Sequence, residues 1–318
     1  MSALAELRGV YRERFARPPE RALGVVGADV PRELVEASGH VALRLAPLAD
    51  VDRSFADRAL GRGVGEAARG ILAALLEGAY PVERVVLCHD SDHTVRLYTA
   101  LRRLAPRLDL WFLDLLHQPR ATTDAYDRAR LAELAGWLGG AGDLPGAIAA
   151  GNRARALGPR LAALRREGRI AGADALALLG AGTALPAARY AELLESALAD
   201  APERPRPRAS VLLLGSEHHD DAVYASVDET GAAVVAETHG WGESLLAGRV
   251  DEDGDPLDAL VRHYRPRPRV EPDPADVQVA WIAPGDEAVA WSLPAERRRL
   301  GREIAVARTL DELRQAVA

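Results

Sequence analysis

The chain has little cysteine, no lysine and few aromatic residues. Cys88 is the single cysteine among 318 residues, so a disulfide within the chain is excluded and a reducing compartment is expected. All formal positive charge comes from arginine, because no lysine occurs anywhere. Aromatic residues make up 5% of the chain, so leucine, valine and alanine must fill most of any hydrophobic core.

Long apolar runs are also missing. Residues 1–27 carry charges every few positions and lack the apolar stretch of a signal peptide, and no uninterrupted apolar run is long enough to cross a bilayer. The formal net charge of −7 disfavours a nucleic-acid partner, because phosphate binding requires a basic surface. We therefore expect a cytoplasmic protein that binds neither membranes nor nucleic acid.

Short apolar segments alternate with amphipathic segments in both halves of the chain, which predicts an α/β fold with parallel sheets. The predicted strands are residues 22–26, 40–45, 84–87 and 108–113 in the first half, and 209–214, 232–237, 276–282 and 304–307 in the second. The predicted helices between them are residues 32–38, 58–78, 94–104, 221–230, 256–264, 295–302 and 310–317.

Helical periodicity dominates from residue 122 to residue 200, with predicted helices 127–138, 144–166 and 187–199. Residues 201–208 contain three prolines, which exclude a helix and predict a stiff extended linker. The predicted parts are an N-terminal α/β lobe (1–120), a helical block (121–200), the linker (201–208) and a C-terminal α/β lobe (209–318). The fold class is therefore α/β, with two Rossmann-like parallel-sheet lobes and a helical block between them.

Reactive side chains collect in three loops, residues 88–93, 215–221 and 237–243, each directly after a predicted strand. The loops hold five of the eight histidines. Ligands of open parallel sheets bind at the carboxyl ends of the strands, so we expect the three loops to converge on one cleft between the lobes. The candidate catalytic residues are His89, Asp90, His218, His239 and Glu243.

A simpler interpretation is that these loops only cap helices, since Asp and Ser are common N-cap residues. Capping needs one polar residue in each loop, whereas these loops have several. His and Asp also suit metal binding or acid–base chemistry, although their spacings match no standard zinc pattern. Trp241, which lies between two glycines, is either a packing anchor or a lid over a ligand. No phosphate-binding P-loop is present, so ATP hydrolysis on this chain is not expected.

Several segments, in this order, resemble the family of 2-hydroxyacyl-CoA dehydratase and benzoyl-CoA reductase subunits. They are GVVGADVPRELVEASG (24–39), RVVLCHDS (84–91), WFLDL (111–115), GNR (151–153), SVLLLGS (210–216), TGAAVVAE (230–237) and DPLDALVRHY (255–264). The resemblance implies a pair of related subunits, an acyl-CoA substrate and a separate ATP-hydrolysing activator. It also implies a [4Fe–4S] cluster that receives an electron from that activator.

The family usually brings three cysteines to the cluster, and this chain departs from that pattern. Cys88 stands at the central position, which makes it the candidate cofactor ligand. The other two are expected near residues 53–58 and 238–241, where no cysteine occurs. One thiolate cannot hold a four-iron cluster without substitutes, so we expect the cluster to be absent. If another metal is bound instead, Cys88 and His239 are its candidate ligands.

Three functional hypotheses follow. The chain is a dehydratase-family subunit that works beside a cluster-bearing partner and helps to form the acyl-CoA pocket. Alternatively, it is a repurposed enzyme whose histidine-rich loops hold a mononuclear metal or act as acid and base. The third hypothesis is a non-catalytic protein that binds a small ligand or assists assembly.

Overall fold

The computed structural model describes residues 2–170, 172–267 and 270–318. Its strands are β1 (Ala22–Val26), β2 (Val41–Arg44), β3 (Arg84–Cys88), β4 (Asp109–Leu113), β5 (Ser210–Gly215), β6 (Ala233–Glu237), β7 (Val277–Trp281) and β8 (Ala305–Ala307). The helices of the first 138 residues are α1 (Ala3–Glu13), α2 (Arg32–Ala37), α3 (Ser54–Leu60), α4 (Glu66–Glu77), α5 (Asp92–Leu104) and α6 (Ala121–Leu138).

The remaining helices are α7 (Leu144–Arg155), α8 (Gly158–Arg166), α9 (Gly172–Ala181), α10 (Ala187–Ala199), α11 (Ala222–Asp228), α12 (Pro256–Tyr264), α13 (Ala288–Leu300) and α14 (Leu310–Val317). A short 3-10 helix spans Glu243–Leu246. None of the helices described is both long and apolar enough to cross a membrane.

The strands form two four-stranded sheets with the orders β2-β1-β3-β4 and β6-β5-β7-β8. All neighbouring strands pair in parallel, so the predicted α/β class with two Rossmann-like lobes is confirmed. In each sheet the second strand of the chain lies on one side of the first strand, and the third strand lies on its other side. The strand order therefore reverses between β1 and β3 and between β5 and β7. Ligands of open parallel sheets bind outside the strand ends at such reversal points.

Several predicted elements need correction. The single helix predicted over residues 58–78 is wrong: α3 and α4 are separated by a loop that contains Gly61, Gly63 and Gly65. The helix predicted over 144–166 is likewise divided into α7 and α8. The helix predicted to begin at residue 295 begins at Ala288 and contains Pro294. Helices α1 and α9 were not predicted.

Four hydrophobic clusters cover the two faces of the two sheets. On one face of the first sheet, α2, α6 and α7 pack together with α12, which comes from much later in the chain. Helices α3, α4 and α5 cover the other face. One face of the second sheet packs against the helical block and α1, which contributes Leu7 and Tyr11. Helix α13 covers the remaining face.

These clusters cross the predicted division of the chain. Helix α1 belongs to the predicted N-terminal lobe but packs with α9 and α10, and α12 belongs to the C-terminal lobe but packs on α6. Residues 201–208 form neither helix nor strand. The two sheets are therefore separate layers, but the hydrophobic core beside each sheet is built from distant parts of the sequence.

Candidate functional site

One large cleft takes side chains from all three histidine-rich loops. Its volume is about 1490 Å³. Asp90 and His93 line it from the loop after β3, Glu217 and His218 from the loop after β5, and His239 from the loop after β6. The carboxyl ends of strands from both sheets thus face a common space, because parallel strands end at the same edge of their sheet.

Cys88 ends β3 but is not among the residues that line this cleft. Its side chain is 1% exposed, and its Sγ accepts a hydrogen bond from the backbone N–H of Asp29 at 3.3 Å. Gly27 (φ +98°) packs against the thiol so closely that a Cβ there would collide with Sγ. Burial raises the pKa of Cys88 well above its usual value, and the charges of Asp90 and Asp29 raise it further.

This environment does not fit a [4Fe–4S] cluster. The cluster requires several thiolate ligands, whereas Cys88 is the only cysteine and its surroundings favour the neutral thiol. Within the described ranges, no three His, Cys, Asp or Glu side chains are grouped so that they could hold a metal ion.

Part of the first loop does cap a helix. The hydroxyl of Ser91 accepts a hydrogen bond from the backbone N–H of Thr94 at 3.3 Å, which caps α5. Asp90 accepts a hydrogen bond from the Thr94 hydroxyl at 2.8 Å and another from the Ala28 N–H at 3.0 Å. His89 lies outside the cleft lining, and its Nδ1 is 2.8 Å from a carboxylate oxygen of Asp114. The structure therefore does not bring His89 together with the other candidates.

His218 and His239 pack against each other at the cleft, with ring centres 4.0 Å apart. Nδ1 of His239 accepts a hydrogen bond from the Trp241 N–H at 3.2 Å. This bond leaves the proton of the neutral ring on Nε2, which lies 3.0 Å from the hydroxyl of Tyr224. Both nitrogen atoms of His239 are thus occupied, and burial lowers its pKa well below the usual value.

His218 differs from His239 because one of its nitrogen atoms has no partner. Its side chain is buried, and burial lowers its pKa to about 4, so the ring is neutral at pH 7. Nδ1 lies 3.3 Å from the carbonyl oxygen of Ser216. Nε2 has no hydrogen-bond partner among the described residues. A neutral imidazole held in this way presents a lone pair that can accept a proton or a hydrogen bond.

Glu243 belongs to a buried ion cluster rather than to the cleft lining. Arg165 is 0% exposed and donates to Glu237 at 2.8 Å and to Glu243 at 2.7 Å. The backbone N–H of Glu243 also donates to Glu237 at 3.0 Å. These contacts give Glu243 a structural role, as a counterion that satisfies Arg165.

Sequence reasoning missed Arg44 and Glu217, which meet inside the cleft. Arg44 ends β2 and pairs with Glu217 at 3.1 Å. The Glu217 side chain is 47% exposed to the water of the cleft. The protein atoms that surround the carboxylate still remove part of its hydration, and this desolvation raises its pKa. Arg44 also lies over the ring of Trp241, which is 4% exposed and serves as a packing anchor. The only sequence signal for Arg44 was its charge at the end of a predicted strand. Its partners Glu217 and Gly240 could not be predicted, because they lie more than 150 residues away in the sequence.

Comparison with known proteins gives one family. A family model described as 2-hydroxyglutaryl-CoA dehydratase, D-component, matches residues 28–282. The matched region contains the three histidine-rich loops. It also contains the ion cluster of Arg165, Glu237 and Glu243. No curated protein sequence matches the chain significantly.

Proposed function

Because the chain belongs to the 2-hydroxyglutaryl-CoA dehydratase D-component family, we propose that it is a subunit of a 2-hydroxyacyl-CoA dehydratase-like complex. The observation that carries this proposal is the match over residues 28–282, which includes all three histidine-rich loops. In this proposal the chain pairs with a related subunit, and an ATP-dependent activator acts on the pair.

The proposed division of labour leaves the [4Fe–4S] cluster to the related subunit. Cys88 supports this proposal because it is a single thiol, enclosed by Gly27, Asp29 and Asp90, with a raised pKa. This chain then contributes the walls of an acyl-CoA site. The cleft volume of about 1490 Å³ is larger than the roughly 300–1,000 Å³ typical of small-ligand pockets, so it leaves room for a coenzyme A thioester.

The test is to purify the chain without oxygen, alone and together with a family-related subunit, and to measure iron and sulfide. We expect the isolated chain to carry no cluster, and the pair to carry a cluster that survives Cys88→Ala. About four irons and four sulfides on the isolated chain, lost on Cys88→Ala, would overturn the proposed division of labour. Absence of any complex with the related subunit would count against the subunit role.

A second candidate function is acid–base chemistry in the cleft, which the unpartnered Nε2 of His218 favours. A mononuclear metal site at His239 has less support, since both of its ring nitrogen atoms already have partners. His218→Gln separates the two functions. Loss of a catalysed reaction without loss of acyl-CoA binding would favour the acid–base role, and unchanged activity would exclude it.

A further inference from the structure

The structure also bears on the kind of acyl group that the cleft can accept. Among the described residues, six arginines line the cleft: Arg32, Arg44, Arg53, Arg155, Arg267 and Arg299. Each forms a salt bridge with an Asp or Glu side chain. Each described arginine of the lining therefore already has a carboxylate partner, although Nη1 of Arg155 has no hydrogen-bond partner among the described residues.

The least exposed of these pairs cannot readily change partner. Arg155 and Glu33 are both almost fully enclosed, and Arg44 is 6% exposed. Breaking a buried pair such as Arg155–Glu33 leaves an uncompensated charge, which is strongly unfavourable. Arg53 and its partner Glu66 are much more exposed, so they can exchange with the phosphates of a coenzyme A group at low cost.

Negative charge near the strand ends also disfavours a carboxylate on the ligand. The carboxylates of Asp90 and Asp286 both act on Glu217 and help to raise its pKa, after the larger effect of burial. A further carboxylate placed beside these three side chains would be repelled. Arg44, which lowers the pKa of Glu217, is already paired with that side chain, and the ring of His218 adds no positive charge because it is neutral at pH 7.

A smaller apolar pocket adjoins the cleft. Ala247 and Val270 line both spaces, so the two meet at these residues. The smaller pocket has a volume of about 250 Å³, and its other lining residues include Leu161, Ala162, Leu179 and Leu246. Its one charged lining residue among those described is Glu243, which is paired with Arg165.

Size and chemistry fit an aliphatic group in this pocket. An apolar cavity of about 150 Å³ is sufficient for the six carbons of benzene. Each methylene taken from water into such a pocket contributes about 0.8 kcal/mol, which is about fourfold in affinity. A carboxylate there would lose its hydration without gaining a counterion.

We propose that the acyl group bound by this chain ends in an aliphatic chain of about six carbons, held in the pocket of Leu161, Ala162, Leu179 and Leu246, and not in a second carboxylate. This inference rests on the proposed acyl-CoA function. It assigns to this chain a substrate class different from the glutaryl group in the description of its family.

The experiment titrates the full-length chain with the coenzyme A thioesters of acetic, hexanoic and glutaric acid and measures each dissociation constant by calorimetry. Hexanoyl-CoA should bind at least about tenfold more tightly than acetyl-CoA, because four more methylenes are buried. Glutaryl-CoA should bind no more tightly than acetyl-CoA. Tighter binding of glutaryl-CoA than of hexanoyl-CoA would overturn the inference and leave the proposed function intact.

Pocket-filling variants give the second arm of this experiment. Ala162→Phe on α8 should remove the preference for hexanoyl-CoA and leave acetyl-CoA binding unchanged. Ala163→Phe is the matched control, because Ala163 lies next to it on α8, is also half-buried and does not line the pocket. Ala162→Leu, a smaller change, replaces the Phe variant if circular dichroism shows that the latter is unfolded. A preference that survives both Ala162 variants would contradict the assigned pocket.

Failure of the proposed function gives a different result. If none of the three thioesters binds, the acyl-CoA role is wrong, and 1-hexanol then tests the pocket by itself. If 1-hexanol binds to the unchanged protein but not to Ala162→Phe, the pocket is an aliphatic site for another kind of ligand. Absence of hexanol binding would overturn the pocket as well.

Discussion

The guanidinium of Arg44 lies 4.4 Å from the centre of the Trp241 ring. Arg44 ends β2 in the first sheet, and Trp241 follows β6 in the second sheet. The same guanidinium pairs with Glu217 at 3.1 Å and donates to the carbonyl oxygen of Gly240. One side chain thus connects the strand ends of both sheets beside the cleft.

Replacing Trp241 with alanine should destabilise the protein strongly. The ring is 4% exposed and contacts both Arg44 and Tyr11, so its removal leaves a cavity and costs about 3–5 kcal/mol in the free energy of unfolding. Urea denaturation measures the change. Trp291→Ala is the control, because Trp291 is 84% exposed and its loss should change stability by less than about 0.5 kcal/mol. Equal effects of the two changes would contradict the anchoring role of Trp241.

Arg165→Met should also destabilise the protein, since it leaves Glu237 and Glu243 buried without a counterion. We expect a loss of about 3–5 kcal/mol in the free energy of unfolding. Arg189→Met removes an exposed pair with Glu6 and should have a much smaller effect, because water screens that pair. Adding Glu237→Gln to Arg165→Met should recover part of the lost stability. No recovery would mean that packing, rather than uncompensated charge, dominates at this position.

The buried His218 should make stability depend on pH below neutrality. Burial lowers its folded-state pKa to about 4, whereas the unfolded value is about 6.5, so the unfolded chain binds the proton first as pH falls. The stabilisation by the neutral ring is complete above about pH 6.5 and decreases between pH 6.5 and 4, by at most about 1.4 kcal/mol per pH unit.

Denaturation of the His218→Gln variant at pH 7 and pH 5 tests this pH dependence. The difference in unfolding free energy between the two pH values should be smaller in the variant than in the unchanged protein. A pH dependence that is the same in His218→Gln and in the unchanged protein would contradict burial of a neutral ring at this position.

Cys88 should react slowly with iodoacetamide in the folded protein, because burial and nearby carboxylates favour the unreactive thiol. Gly27→Ala should speed this reaction and lower stability, since its Cβ collides with Sγ. Gly254→Ala is matched in backbone conformation (φ +83°) but has no atom within 4 Å of the added Cβ, so it should cost only the backbone strain of about 1–2 kcal/mol. Mass spectrometry follows the alkylation. Fast alkylation of the unchanged protein would show that Cys88 is accessible.

Much of the fold could be predicted because apolar periodicity and turn residues are local signals. The strand at 22–26 and the helices at 256–264 and 310–317 have the predicted bounds. Helix α9 was missed because it is apolar on all sides and shows no amphipathic period, as expected for a helix buried in the core. Helix α13 was predicted too short: it begins at Ala288 and continues through Pro294, a residue that usually breaks a helix.

The site could be predicted only in part. The position of the loops after parallel strands indicated a shared cleft, and Asp90, His218 and His239 do line one. The pairing of Glu243 with Arg165 could not be predicted, because Arg165 lies in a helix 78 residues earlier and no local pattern indicates that pair. The carboxylate partners of Arg44, Arg155 and Arg267 were equally hidden, since these three pairs join distant segments.

The packing of α12 on the first sheet has a consequence for synthesis of the chain. Leu260 and Val261 of α12 complete the hydrophobic cluster that begins at Leu23, so that cluster stays open until more than 230 residues have followed Leu23. A ribosome synthesises roughly 5–20 residues each second, so this apolar face stays uncovered for on the order of ten seconds or more. The nascent chain therefore cannot complete its first lobe before α12 of the second lobe has been made, and exposed apolar surface of this kind is what chaperones bind during translation.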